Sequence, residues 1–291
     1  MTAYVAEPVY LNGQFLPLAA AGVSPLDRGF LYGDGVYEVI PVYSRQPFRI
    51  DEHLARLQAT LAGIRLANPL TVDAWKSVIF RLIADAPWDD QSIYLQVTRG
   101  ADDKRDHAFP PASVTPTAFA FAGPLVTPSA AVRAAGVAAI TVADQRWARC
   151  DLKVISLLAN VLARQQAVEQ GCAEALLIRD GFMKEGAASN IFVVKDGRLL
   201  APPKTQLMLP GITYDVIVDL AQVHGQPLEI REIAETELRA ADEVWMTSST
   251  KEVLAITTLD GAPVGNGKPG PLGERMWQWY QDFKNTVMRK G

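Results

Sequence analysis

Apolar residues recur along this chain at every second position in some stretches and at every third or fourth in others, which predicts strands and amphipathic helices. Val9-Tyr10-Leu11 and Gln14-Phe15-Leu16 flank Asn12-Gly13, a dipeptide suited to a two-residue hairpin turn. A strand is predicted over Val36–Tyr43, after Gly33-Asp34-Gly35. Those glycines read as a turn that aims Tyr37 into a cleft. They do not read as a phosphate loop, because no Lys-Ser/Thr follows and the next element is a strand. Pro47–Ile50 reads as a short strand ending at Asp51, the expected N-cap of a helix with Leu54, Leu57, Leu61 and Ile64 on one face. A second helix is expected from Thr71, carrying Val72, Trp75, Val78, Ile79 and Leu82. Ser92–Gly100 is strand-like and runs into a polar loop, Ala101 to His107, closed by Phe109-Pro110-Pro111. Ala118–Phe121 is the next strand.

Gly123-Pro124-Leu125-Val126-Thr127-Pro128 combines two prolines with a glycine and separates differently patterned halves. It is taken as a linker (123–128) between a smaller domain over 1–122 and a larger one over 129–291. The second half alternates: a run over Val132–Val142, a helix from about Val154 to Gln170 burying Leu157, Leu158, Val161 and Leu162, and strands at Glu174–Ile178, Asn190–Val194 and Arg198–Ala201. A helix opens at Gly211 with Val216, Ile217 and Leu220 at helical spacing, and Glu243–Thr250 is a strand ending in four hydroxyl residues. The last helix carries Leu272, Met276, Trp279, Tyr280 and Phe283.

With 291 residues, 49% of them hydrophobic, the chain can build two ordinary domains with substantial cores. A net charge of -4 argues against a general nucleic-acid binder, which needs a basic face. Cys150 and Cys172 are too few for a disulfide framework or a zinc site, and His53, His107 and His224 lack metal-cluster spacing. The N-terminus lacks a positive start followed by an apolar run, and no apolar stretch approaches the roughly 20 residues of a membrane span. A cytoplasmic protein is therefore the default expectation.

Candidate chemistry centres on Lys153, where a mixed run gives way to apolar periodicity, with Asp151 two residues before it. An interior position lowers a lysine's pKa and makes its amine a nucleophile for Schiff-base chemistry. Glu185 opens a Gly/Ala/Ser turn before the strand at Asn190, where a carboxylate can pair with a cationic ring nitrogen such as that of pyridoxal phosphate (PLP). Singly, each has a plainer reading as a snorkelling lysine or a solvated glutamate. Gly211 leaves the N–H groups of Ile212 and Thr213 at a helix mouth, an anion site. The hydroxyls of Thr247–Thr250 read equally as a turn or as phosphate ligands.

Taken in order, these strings resemble the class IV, fold-type-IV PLP-dependent transaminases, and among them the D-amino acid aminotransferases. The likeness covers nearly the whole length. It runs through Leu26-Asp27-Arg28-Gly29, Gly33-Asp34-Gly35-Val36-Tyr37-Glu38, His53-Leu54-Ala55-Arg56-Leu57, Arg149-Cys150-Asp151-Leu152-Lys153, Glu185-Gly186 with Ser189-Asn190, Pro210-Gly211-Ile212-Thr213 and Thr247-Ser248-Ser249-Thr250. The resemblance implies an α+β, two-domain fold: a smaller N-terminal α/β domain and a larger C-terminal, β-barrel-like domain with helices. It implies that Lys153 bonds covalently to PLP and shuttles the substrate Cα proton. Glu185 would pair with the pyridine nitrogen, and Leu209 would pack near the ring. Arg56, Gly211 with the N–H groups of Ile212 and Thr213, and Ser248 and Ser249 would hold the phosphate.

Tyr37, Arg105 and His107 resemble the carboxylate trap of the D-specific branch; taken alone, Arg105 and His107 would be a solvated pair on a polar loop. The implied reaction is a ping-pong transfer of the amino group from a D-amino acid of the D-alanine type to a 2-oxo acid such as 2-oxoglutarate. The family also implies a homodimer with its active site at the domain interface, completed by a neighbouring subunit. The sequence departs from the pattern in having Asp102-Asp103-Lys104 where a proline is expected, Ala187-Ala188 in place of hydroxyl residues, and Ser249 where threonine is common. An (R)-amine or L-branched-chain transaminase, or an aminodeoxychorismate lyase, shares the fold. A catalytically inert small-molecule binder is the alternative of another class, which the presence of both Lys153 and Glu185 disfavours.

Overall fold

The computed structural model describes residues 4–290, and the chain forms two compact units. The first takes in the chain up to Leu125, together with Leu152–Leu157 and the last residues from Val287. The second comprises Val126–Asp151 and Leu158–Thr286. Neither unit is therefore one unbroken stretch of sequence.

The first unit contains β1 (Val9–Leu11), β2 (Gln14–Leu16), α1 (Arg28–Tyr32), β3 (Gly35–Tyr43), β4 (Gln46–Pro47), α2 (Ile50–Gly63), α3 (Val72–Asp85), β5 (Gln91–Thr98) and β6 (Thr117–Pro124). Its strands form one antiparallel sheet in the order β2-β1-β6-β5-β3-β4. Asn12 and Gly13 both take positive φ, as a hairpin turn matched to strand twist requires. In β5 burial alternates: Ile93, Leu95 and Val97 are buried, Tyr94 and Gln96 half-buried. The buried face packs with Leu54, Leu57 and Leu61 of α2 and Trp75, Ile79 and Leu82 of α3. Both helices thus bury the stripes their spacing predicts.

Boundaries differ from expectation where local chemistry intervenes. Arg49, not Asp51, precedes α2, and it takes a left-handed conformation; Asp51 instead lies in the first turn, where a negative charge suits the helix dipole. The expected strand at Pro47–Ile50 is accordingly reduced to Gln46–Pro47. Thr71 caps α3 by accepting from Ala74 N at 3.2 Å. Gly123 and Pro124, expected in a linker, continue β6 and pair with Ser92 and Gln91.

The second unit contains α4 (Ala130–Ala135), β7 (Val137–Ala143), α5 (Leu158–Glu169), β8 (Glu174–Arg179), β9 (Phe182–Gly186), β10 (Asn190–Lys195), β11 (Arg198–Ala201), α6 (Ile212–Val223), β12 (Leu228–Ile230), β13 (Ile233–Ala234), α7 (Glu235–Arg239), β14 (Glu243–Ser248), β15 (Glu252–Leu259), β16 (Ala262–Pro263) and α8 (Pro271–Phe283). Its ten strands form a curled half-barrel, ordered β12-β11-β10-β14-β15-β7-β8-β9-β13 with β16 on β15. The run at Val132–Val142 splits at Gly136, whose φ is +68°, into the end of α4 and β7. Buried Ile191, Val193, Val244, Met246, Leu254 and Ile256 fill one face. The α5 expectation is corrected twice. The helix starts at Leu158, because Val154 bridges to Val36 and Ile155 N donates to the Gly35 carbonyl. Ala163 and Ala167 face the core, while Leu158, Val161 and Leu162 are exposed. Among the described residues, no helix is long and apolar enough to cross a membrane.

Candidate active site

In the first unit, Lys153 lies in an irregular segment, half-buried, and not at the start of a helix. Its carbonyl accepts from Tyr37 N at 3.0 Å, which ties the lysine to β3. Its amine stands 4.1 Å from the Tyr37 ring centroid, a cation–π distance when charged. Tyr37 stacks on Tyr94 at 5.9 Å and Tyr94 on Phe121 at 5.2 Å, an aromatic row on the sheet face opposite the helices.

Val36, Glu38, Ile40 and Val42 share the other face of β3, all buried. A carboxylate among those apolar residues needs partners, and α2 supplies two at i and i+3. Arg56 donates Nε to Glu38 Oε1 at 2.7 Å and Nη2 to Oε2 at 2.8 Å. His53 Nδ1 lies 2.9 Å from Oε2. Burial acts to raise the Glu38 pKa, but the Arg56 charge and the Arg56 and His53 bonds outweigh it and hold it at about 2. The His53 pKa is lowered, first by burial. A neutral ring beside an ionised carboxylate places the proton on Nδ1, so Nε2, buried and with no partner among the described residues, is a bare acceptor. Two of Arg56's donors, expected to serve a phosphate, are thus committed to Glu38. The parity of Glu38 within an apolar strand face was the signal that could have exposed this trio.

Arg105 and His107 are exposed on the loop after β5. The loop is anchored by Arg28, whose Nη1 donates to the Asp106 carbonyl at 2.7 Å and Nη2 to that of His107 at 3.4 Å. Arg28 and Arg99, both buried, share Asp34 at 2.9 and 2.8 Å. The Gly33-Asp34-Gly35 turn therefore supplies a half-buried counterion as well as a change of direction. Tyr32 offers a ring to Arg28, Arg105 and His107, at 4.8, 5.5 and 5.4 Å. The sequence gives Arg28 and Asp34 no evident role because their anchoring partners are distant: Arg99 lies 65 residues from Asp34, and Arg28 reaches carbonyls 78 and 79 residues away.

In the second unit, Glu185 is the last residue but one of β9 and is buried. It pairs with Arg146 and accepts from Leu209 N at 3.2 and 3.3 Å, with Asn190 Nδ2 3.5 Å away. Burial pushes its pKa up to about 7 even against the Arg146 guanidinium. Arg146 stands 39 residues from its partner in the sequence, with no local pattern to link the two. Asn190 Nδ2 also donates to the Leu209 carbonyl at 3.1 Å, which fixes the turn before α6. Gly211 precedes α6 with no side-chain cap, and a Cβ there would run into Asn190 Oδ1. The backbone at the mouth of α6 is therefore held bare, with Ile212 and Thr213 opening the helix. The Ser248 hydroxyl sits 3.3 Å from that of Thr250 and accepts from Lys251 N at 3.1 Å, which makes it part of the turn. Ser249 is half-buried beside it.

The family description for class IV amino-transferases matches residues 35–259. A D-alanine aminotransferase of Bacillus licheniformis is 40% identical over 264 residues, covering 91% of this chain and 92% of that protein. One from Listeria monocytogenes serotype 1/2a is 37% identical over 278 residues, 94% of each. Among solved structures, a branched-chain amino acid aminotransferase of Escherichia coli superposes with a TM-score of 0.84 at 27% identity, over 94% of this chain and 92% of that one. The branched-chain amino acid aminotransferase of Thermoproteus uzoniensis with norvaline gives 0.85 at 25% identity, over 96% and 94%. The chain belongs to the class IV aminotransferases.

Proposed function

We propose that this class IV aminotransferase is a PLP enzyme that moves the amino group of a D-amino acid, D-alanine in type, to a 2-oxo acid. The observation that carries the reading is the lysine amine standing over the Tyr37 ring, on a segment pinned to β3. The relatives named D-alanine aminotransferase, similar over almost their whole length, support the D-specific branch over the branched-chain one.

Each unit, taken by itself, carries residues chemically suited to part of the cofactor. Lys153 supplies the amine that holds its aldehyde, and Glu185 the buried carboxylate for its ring nitrogen. The bare mouth of α6, with the N–H groups of Ile212 and Thr213, supplies donors for its phosphate. Arg56, oriented by Glu38, adds a cation, and Ser249 a hydroxyl. When bound, PLP carries the amino group and takes up the electron pair released at Cα.

The protein's part is to bind, orient and move protons. Arg105 and His107 hold the substrate carboxylate, and Arg28 fixes their loop through two backbone carbonyls. Lys153 Nζ takes the proton from Cα and returns it on one face, so pinning the carboxylate decides which enantiomer reacts. Leu209 N–H, donating to Glu185, keeps that carboxylate oriented. A second copy of the chain covers the exposed Leu158, Val161 and Leu162 of α5, a reading supported by their apolar character. Side-by-side rates with D-alanine, L-alanine, leucine and 1-phenylethylamine test the assignment. D-alanine should be the preferred donor; preference for L-leucine or the amine would move the chain to another branch of the fold.

A further inference from the structure

We infer that Arg146 is a positioning residue for Glu185, keeping that carboxylate charged and in one orientation, and that Asp144 and Arg179 in turn hold Arg146. The inference rests on the assignment of Glu185 to the cofactor's ring nitrogen.

Four side chains of the second unit alternate in charge: Arg179, Asp144, Arg146 and Glu185. The Asp144 side chain is fully buried. It accepts from Arg146 Nε at 2.9 Å and Nη2 at 3.0 Å, and from Arg179 Nη2 at 3.2 Å. The Arg146 backbone N–H closes on the same carboxylate at 3.0 Å. Arg179 Nη2 also donates to the Arg146 carbonyl at 2.6 Å. Arg146 spends Nη1 on Glu185 and shares Nη2 with the Leu207 carbonyl at 3.3 Å. Each guanidinium nitrogen is engaged, so the fork has one orientation. A lysine, a point charge on a flexible stem, could not serve Asp144 at two points and Glu185 at a third.

The chemistry asks for such a brace. A carboxylate that pairs with a ring nitrogen keeps the proton on the ring only while it is a poor proton acceptor itself. Burial works against that, pushing Glu185 up to about 7 with Arg146 already beside it. A guanidinium stays protonated at any working pH. Without it, the proton passes to Glu185 and the ring loses its charge. Nothing in the transamination itself requires an Asp144–Arg146 pair; its geometry is explained by what it does to Glu185.

The test is a pH titration of the visible absorbance of the purified holoenzyme, which needs no turnover. A ring that has lost its proton withdraws fewer electrons, so the Lys153 nitrogen joined to the cofactor holds its own proton more tightly. Arg146→Met and Glu185→Gln should each raise the absorbance midpoint, by about one pH unit or more. Asp144→Asn, which removes the brace and leaves the fork, should raise it less, and it provides the measurement should Arg146→Met not fold. In an Arg146→Met/Glu185→Gln double variant the midpoint should equal that of Glu185→Gln alone. Unmoved midpoints for Arg146→Met and Asp144→Asn beside a shifted Glu185→Gln would overturn the role of Arg146 and leave Glu185 standing. An Arg146 effect that persists without Glu185 would overturn it as well. An unmoved Glu185→Gln would instead remove the ring-nitrogen assignment.

Discussion

Glu38 and Arg56 form a two-point ion pair at 2.7 and 2.8 Å, with the carboxylate on the core face of β3 and the guanidinium on α2. The pair joins sheet to helix inside a layer that is otherwise Val36, Ile40, Leu54 and Leu57. Without Glu38 the Arg56 guanidinium loses its two-point partner inside that layer. Glu38→Ala should therefore cost about 3–5 kcal/mol of stability, read as a lowered denaturation midpoint. A loss of under about 1 kcal/mol, the range of exposed pairs, would mean that water reaches Arg56.

The same carboxylate makes the protein acid-sensitive. The Glu38 pKa is about 2 in the folded chain against an ordinary 4.5. Below 4.5 the unfolded chain takes up a proton that the folded one refuses until about pH 2. The stabilisation is whole above 4.5 and is lost progressively as pH falls toward 2, on the order of 3 kcal/mol in all. His53, whose pKa is lowered by burial, acts in the same direction as pH drops below its ordinary 6.5. Denaturant midpoints measured at successive acidic pH values should fall more steeply in the native protein than in Glu38→Gln; parallel curves would contradict the assignment.

Arg105 is expected to act on the substrate carboxylate and on little else. Arg105→Ala should raise KM for D-amino acids roughly ten- to a hundredfold, the worth of a charge-assisted hydrogen bond, while leaving primary amines nearly unaffected. Equal losses for both donor classes would place carboxylate recognition on other residues.

Arg28 should matter through the backbone it holds. Arg28→Ala frees the Asp106 and His107 carbonyls and leaves Asp34 to Arg99. The loop from Ala101 to His107 should then be cleaved faster by protease, and KM for D-alanine should rise more than kcat falls. A loop no more susceptible than before would show that the Tyr32 ring suffices to hold it.

Elements with strong period were legible in the sequence. The Asn12-Gly13 hairpin, the stripes of α2 and α3, the Thr71 cap and the bare start of α6 all follow from local rules that the fold leaves intact. What was not legible was long-range. Nothing near Arg146 announces Glu185, and nothing near His53 announces Glu38, because ion pairs between separate strands and helices carry no sequence period. The misplaced start of α5 has the same origin, since the bridge of Val154 to Val36 overrides the helical spacing of the residues around it. The apolar stripe at Leu158, Val161 and Leu162 was read correctly as a pattern and wrongly as core. Periodicity reports that a face is apolar without saying what covers it.

In the proposed reaction the chain holds its cofactor through Lys153. Reduction of the purified holoenzyme with borohydride, followed by proteolysis and mass spectrometry, locates the modified lysine directly. The expected result is a single phosphopyridoxyl group on the peptide containing Lys153, absent from Lys153→Ala. A label on any other lysine, or on none in a protein that still transaminates, would contradict it.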